Sequence, residues 1–89
     1  MKYKLTNNKK ELFGIIFHQI EATVAFCSVA KGELGGWIEK EKNLSQEDDA
    51  WVSGNALVYG NARVSGDARV SGDARVYEFL ELIKPSKPQ

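Results

Sequence analysis

Hydrophobic and polar positions repeat with a fixed period of six residues through the middle of the chain. Five consecutive blocks fill residues 49–78 and follow the wording Asp/Asn-Ala-x-Val-Ser/Tyr-Gly, with Glu78 in place of the last glycine. Ala and Val are two residues apart, so in an extended strand their side chains point to the same face. Each block therefore predicts one short strand with two inward-facing apolar residues and a polar corner.

Two folds explain such a repeat. In a β-meander, each Gly-Asn or Gly-Asp pair would be a hairpin turn between strands at the short end of observed lengths. In a left-handed parallel β-helix, each block is one side of a triangular coil, and three blocks complete a turn of eighteen residues. The strict period favours the coil, because short repeats stack on their neighbours to bury a continuous core. The coil also predicts Gly and Asn/Asp at corners, where positive φ is common.

The eighteen-residue turn predicts which outward and inward positions stack on one another. The predicted stacks are Val52 with Val70, Val58 with Val76, Ser53 with Ser71, and Tyr59 with Tyr77.

The outward x position of each block changes its character along the repeat. Trp51 and Leu57 occupy it in the first two blocks, which predicts that the N-terminal strands cover these rungs. Arg63, Arg69 and Arg75 occupy it in the later blocks. Because they are six residues apart, the triangular coil would place the three arginines on three different sides.

Residues 1–46 are irregular and predict an N-terminal β cap region. A short strand is expected over residues 3–6, a polar turn over 7–10, and one or two half-buried strands from Ile16, where apolar residues recur at period two. Residues 31–36 predict a glycine-rich bend. Residues 40–49 predict a loop or a degenerate rung, since Ile38 and Leu44 are already six apart.

The six-residue frame continues past the repeat into an apolar tail. Leu80 and Leu82 stand where Ala and Val would have been, which predicts a cap or subunit contact, formed as a last strand or a short helix. We expect an all-β chain that folds as one unit, divided into a cap region (1–46), a solenoid (47–78) and a C-terminal cap or oligomerisation tail (79–89). The predicted oligomer interface is Phe79, Leu80, Leu82 and Ile83.

Charge and cysteine content narrow the class of partner. Twelve basic and twelve acidic side chains cancel, so no net field favours a membrane or extended nucleic acid as partner. The single cysteine, Cys27, cannot form an internal disulfide, which suits a reducing compartment, and a buried position is expected for it. No run approaches the ~20 apolar residues of a spanning helix. These features predict a cytoplasmic protein.

Few residues of the chain could act as catalytic groups. Acyltransferases built on hexapeptide coils need a histidine as general base, and related anhydrase-like enzymes need three histidine ligands for a metal. The chain has one histidine, His18. We therefore expect a protein that is not an enzyme and uses no metal or cofactor. An acyltransferase-like enzyme that uses His18 is the weakest alternative.

The arginines and tyrosines are the candidate ligand-binding residues. A guanidinium suits bidentate recognition of phosphate or carboxylate, and a tyrosine ring can stack on a base. This prediction covers Arg63, Arg69, Arg75, Tyr59 and Tyr77. Only an oligomer would bring arginines from different sides together. The alternative is solvation, or salt bridges between subunits to Glu78 and Glu81.

Three further segments carry a family resemblance: Tyr3-Lys4-Leu5-Thr6, Lys31-Gly32-Glu33-Leu34-Gly35-Gly36-Trp37-Ile38-Glu39 and Asn43-Leu44-Ser45-Gln46. With the repeats, they resemble small proteins encoded by bacteriophages and prophages, which pair an N-terminal β-region with a hexapeptide-type solenoid. The resemblance implies this fold and a phage origin, without catalytic residues.

Other very small phage proteins often inhibit host immunity, and this analogy gives the functional expectation. We expect a non-catalytic, homo-oligomeric binding protein in the infected bacterial cell. It would sequester a host immune component, either a nucleotide signal held at subunit interfaces or a host defence protein. The alternative is a structural or assembly module without a ligand.

Overall fold

The computed structural model describes residues 1–77 and, for residues 81–84, the backbone. This part of the chain is all-β apart from one 3-10 turn, Glu41–Asn43. Predictions that fall on Phe79 and Leu80, and on the side chains of Leu82 and Ile83, lie outside the described residues. The strands are β1 (Tyr3–Leu12), β2 (Ile15–Ala22), β3 (Leu34–Ile38), β4 (Trp51–Val52), β5 (Leu57–Val58), β6 (Arg63–Gly66), β7 (Arg69–Val70), β8 (Arg75–Val76) and β9 (Glu81–Lys84).

Strands in the repeat pair in parallel with the strand three blocks further along. Strand β4 pairs with β7, β5 with β8, and β6 with β9. Val52 lies beside Val70 and Val58 beside Val76, as predicted. An antiparallel meander is therefore wrong for this segment. The three ladders give a coil in which paired residues are eighteen apart, and the frame continues to Leu82, which pairs with Val64.

The inside of the coil is filled by the Ala and Val positions. Ala56, Val58 and Val64 are completely buried. Ala50 and Val52, in the first block, are also completely buried. At the corners of the coil only the glycines have positive φ, for example 65° at Gly54 and 66° at Gly72. The prediction that Asn and Asp share this conformation is wrong, since none of them has positive φ. Glycine takes it because it has no Cβ to clash.

The N-terminal strands β1 and β2 form one long antiparallel hairpin. The predicted turn at residues 7–10 is wrong: the register shifts between Leu5 and Lys9, and this irregularity absorbs the polar residues while β1 continues. The chain turns at Phe13 and Gly14, where both φ values are positive, 56° and 75°. Such values at both central residues are typical of a two-residue type I′ hairpin turn.

The burial phase of β2 also differs from its prediction. Phe17 is completely buried while Ile16 is 46% exposed, although the period-two pattern placed Ile16 inward. Further along the strand, Ile20 and Ala22 are buried in the core, as predicted. Phe17 lies on the opposite face of the strand, where the Tyr59 ring covers it, so its burial is separate from the core that Ile20 and Ala22 enter.

Strand β3 joins the hairpin to the coil. It pairs antiparallel with β2 and parallel with β5. The predicted bend does not extend to Gly35 and Gly36, because both lie within β3. A Cβ on Gly35 would lie 2.6 Å from the Val52 carbonyl oxygen and 2.7 Å from the Trp51 ring. These glycines instead let β3 approach the first rung closely. The bend is at Gly32, where φ is +87°.

A degenerate rung follows β3, as one of the two interpretations of residues 40–49 proposed. Leu44 bridges Val64 in parallel and is buried. Two polar side chains, Asn43 and Glu39, hold this rung against the coil. Asn43 accepts from the Lys40 N–H at 2.9 Å and donates to the Ala62 carbonyl at 2.8 Å. The Glu39 carboxylate accepts from the N–H of the corner residue Gly60 at 2.8 Å.

Tyr3 fixes the start of β1 against the same rung. Its hydroxyl donates towards the carbonyl oxygens of Glu41 and Leu44, at 2.7 and 2.6 Å. Burial raises the pKa of Tyr3 well above its usual range, and the nearby Glu41 carboxylate adds to this. The Gln46 side-chain amide accepts from the backbone N–H groups of Lys2 and Tyr3 and donates to the Tyr3 carbonyl.

Lys2 binds the backbone of the coil just before β4. Its ammonium group donates to the carbonyl oxygens of Asp48 and Ala50, both at 2.7 Å, and lies 4.9 Å from the centre of the Phe26 ring. Burial lowers the pKa of Lys2, and the Asp48 carboxylate partly opposes this. Asp48 in turn accepts from the N–H of corner residue Gly66 at 2.6 Å.

Candidate ligand-binding surface

The first outward positions of the repeat are covered, as predicted. Trp51 is 2% exposed and Leu57 is 4% exposed. The Phe26 ring meets the Trp51 ring edge-on with centroids 5.4 Å apart. These residues therefore serve the contact between the N-terminal region and the coil.

The three arginines do not come together. Arg63, Arg69 and Arg75 belong to β6, β7 and β8, which lie in three separate sheets. All three are exposed. Arg69 donates to the Ser28 hydroxyl at 3.3 Å, whereas Arg75 places its guanidinium 5.1 Å from the centre of the Phe13 ring. The predicted separation onto different sides is confirmed.

The two predicted tyrosines do come together. Tyr59 and Tyr77 stack with ring centroids 5.4 Å apart and planes 13° from parallel, as expected from positions eighteen residues apart. Tyr77 remains 43% exposed although Tyr59 covers one of its faces. The exposed area of Tyr77 therefore lies away from the face that Tyr59 covers.

Two phenylalanines from the hairpin complete this cluster, and sequence reasoning missed both. The Phe17 ring meets Tyr59 edge-on at 5.4 Å, and the Phe13 ring lies tilted 6.2 Å from Tyr59. We call Phe13, Phe17, Tyr59, Tyr77 and Arg75 the aromatic patch. The signal that would have placed Phe13 here is the Phe13-Gly14 pair between two runs of β-forming residues, which marks a hairpin turn.

Phe13 is held in an unusual conformation at the edge of the patch. Its φ of 56° lies in the left-handed region, which a residue with a bulky side chain rarely adopts. The residue is 61% exposed. A second cation lies on the hairpin, where the Lys10 ammonium group is 4.4 Å from the centre of the Trp37 ring. Exposed rings and guanidinium make a surface suited to planar, negatively charged groups.

The other residues considered for chemistry lie apart from this patch. His18 is half-buried in β2, beside Lys9 and Ile38. Cys27 is exposed in a turn at φ 49°, so its expected buried position is wrong. Within residues 1–77, no three His, Cys, Asp or Glu side chains are grouped closely enough to hold a metal ion.

A cavity of about 350 Å³ opens between the N-terminus of the chain and the start of the repeat. Lys2, Phe26, Gln46 and Asp48 contribute to its wall. The Lys2 ammonium and the Gln46 amide are already engaged with backbone groups. These side chains therefore hold the N-terminus on the coil.

The repeat has counterparts in a described family. Residues 50–66 and 62–78 both match the family model described as the YdcK beta-solenoid repeat. Together with the parallel ladders, these matches define a β-solenoid repeat protein. No curated protein matches the chain. None of the helices in the described part of the chain has the length and apolar character needed to cross a membrane.

Proposed function

We propose that this β-solenoid is a non-catalytic binding protein that holds its ligand on the outer surface of the coil. The aromatic patch is the observation that carries the proposal. Ala and Val side chains fill the inside of the coil, whereas Tyr59, Tyr77 and Arg75 lie together on the outside. A planar ring stacks on tyrosine, and a guanidinium binds phosphate or carboxylate.

The biological role that fits such a surface is sequestration of a host immune component by a phage-encoded protein. The component is a nucleotide signal or a host defence protein. Because Arg63, Arg69 and Arg75 lie on different sides, a homo-oligomer joined by residues 79–83 would be needed to place several arginines around one ligand. Left-handed winding of the coil, phage origin and cytoplasmic location stay predictions.

A binding survey tests this function directly. We expect either calorimetric heat with a panel of cyclic and linear nucleotides, or specific capture of a host protein from lysate. Capture would be compared with the Arg75→Ala/Tyr77→Ala double variant, which removes the exposed part of the patch. If no nucleotide binds and both proteins capture the same material, the proposal is wrong.

The proposed assembly has its own test. Light scattering should give a mass larger than the 9.9 kDa monomer at micromolar concentration, and deletion of residues 79–89 should reduce it. A monomeric full-length chain would refute the shared-site version and leave a site within one subunit.

A structural or assembly module is the second candidate. It is favoured by Arg69, which donates to Ser28 of the N-terminal region and so has a partner within its own chain. In this case Arg63, Arg69 and Arg75 could all become alanine without loss of phage fitness under host immunity. The acyltransferase alternative would require hydrolysis of an acyl-coenzyme A that is lost in His18→Ala.

A further inference from the structure

We propose that Phe13, Arg75 and Tyr77 form a site for a planar aromatic anion within a single subunit. The ring of the ligand stacks on the exposed face of Tyr77, its phosphate or carboxylate meets Arg75, and Phe13 forms a side wall. This inference rests on the proposed binding function and deepens it, because it assigns a ligand class and adds Phe13 as a contact residue.

The conformation of Phe13 is the first support. A two-residue turn with positive φ at both positions favours Asn-Gly or Gly-Gly, so Phe13 stands where the backbone would prefer another residue. Burial does not account for this conformation, since the residue is 61% exposed. An aromatic ring kept at a strained, exposed position next to a cation points to a contact made outside the chain.

The column formed by Tyr59 and Tyr77 is the second support. Strand β8 lies in register on β5, and this places the Tyr77 ring parallel to Tyr59. Phe17 braces Tyr59 edge-on and is itself completely buried, so the base of the column is rigid. A planar ligand on Tyr77 would continue the same stack by one more ring.

Arg75 supplies the charge beside this stack. It is two residues before Tyr77 in an extended segment, so both side chains leave the coil on the same face. Its guanidinium already lies 5.1 Å from the centre of the Phe13 ring, which limits its freedom before a ligand arrives. The guanidinium can then donate two hydrogen bonds to a phosphate or a carboxylate.

NMR titration with matched small probes tests the site. AMP carries ring and phosphate, and indole-3-acetate carries ring and carboxylate, so these two arms distinguish the anionic group. Adenosine lacks the anion and ribose 5-phosphate lacks the ring. We expect one or both complete probes to shift the signals of Tyr77 and Phe13, and both incomplete probes to bind about tenfold more weakly.

Four variants locate the binding. Arg75→Ala and Tyr77→Ala should each weaken the better probe by about tenfold. Phe13→Asn should weaken it by about threefold while the thermal midpoint stays equal or rises, because Asn-Gly suits the turn. An equal or higher midpoint would show that this variant does not lose binding through misfolding. Lys31→Ala removes an exposed positive charge from the turn before β3 and should stay within about twofold.

Two results would overturn the inference, and they differ in what they say of the proposed function. If a probe binds equally well to Phe13→Asn, Tyr77→Ala and the unmodified protein, a binding function stands and this site is wrong. If neither complete probe binds at millimolar concentration, this ligand class is wrong, and capture from lysate then decides the proposed function independently.

Discussion

The coil and the N-terminal region are stabilised in different ways. In the coil, each block repeats the same contacts, so Val58 lies on Val76 just as Val52 lies on Val70. In the N-terminal region, each contact occurs once. The hydrogen bonds of Tyr3 and Asn43, for example, have no equivalent in the repeat. A repetitive element distributes its stability over many equivalent positions, whereas the segment that closes it depends on single residues. Substitutions should therefore be tolerated unequally in the two regions.

The largest difference is expected between glycines of the two regions. Gly35→Ala would force a Cβ to within 2.7 Å of Ile20 and even closer to the Val52 carbonyl, which should cost about 3 kcal/mol of unfolding free energy. Gly72→Ala has open space around the new methyl and should cost about 1 kcal/mol, through its positive φ alone. Urea denaturation of both variants measures this. Equal losses would mean that β3 does not approach the coil as described.

The same contrast explains what the sequence could predict. The period of six led to the coil, to the buried Ala and Val positions and to the Tyr59–Tyr77 stack, because every block has the same surroundings. The closing region resisted prediction because its strands contain register shifts and because single contacts decide burial there: the Tyr59 ring covers Phe17, whereas Ile16 stays exposed. The candidate site was half predictable for the same reason: Arg75 and the tyrosines come from the repeat, and Phe13 comes from the hairpin.

A second contrast compares two asparagines. Asn43 is completely buried and its amide bonds to backbone groups on both sides, so Asn43→Ala should cost about 2 kcal/mol by leaving those groups unpaired. Asn61 is exposed at a corner of the coil, and Asn61→Ala should cost about 0.5 kcal/mol or less. Thermal and urea unfolding of the pair provide the measurement. A clearly larger loss of unfolding free energy in Asn61→Ala would show that the side chains of corner asparagines also make stabilising contacts.

A smaller effect concerns the Tyr3 hydroxyl. Tyr3→Phe removes a buried hydrogen bond and should cost about 1 kcal/mol at pH 7, whereas Tyr77→Phe should cost almost nothing because Tyr77 is exposed.

The pH dependence of stability gives a separate test at Tyr3. Its pKa is raised in the folded protein, so the unfolded chain releases this proton first, near pH 10. The contribution is complete below that pH and is lost as pH rises beyond it. The unmodified protein should therefore lose more stability than Tyr3→Phe between pH 9 and about 11. Parallel losses would contradict a buried, protonated Tyr3.

The central claim is that outward positions eighteen residues apart stack on one another, and a cysteine cross-link tests it most directly. In a Cys27→Ala background, Ser53→Cys and Ser71→Cys flank the paired residues Val52 and Val70. Neighbouring strands are about 4.8 Å apart, within the range that a disulfide spans. We predict that this pair oxidises rapidly to an intramolecular disulfide, while Ser53→Cys with Ser65→Cys, twelve residues apart, stays reduced. The opposite result, or no cross-link in either pair, would contradict the coil and the aromatic patch together.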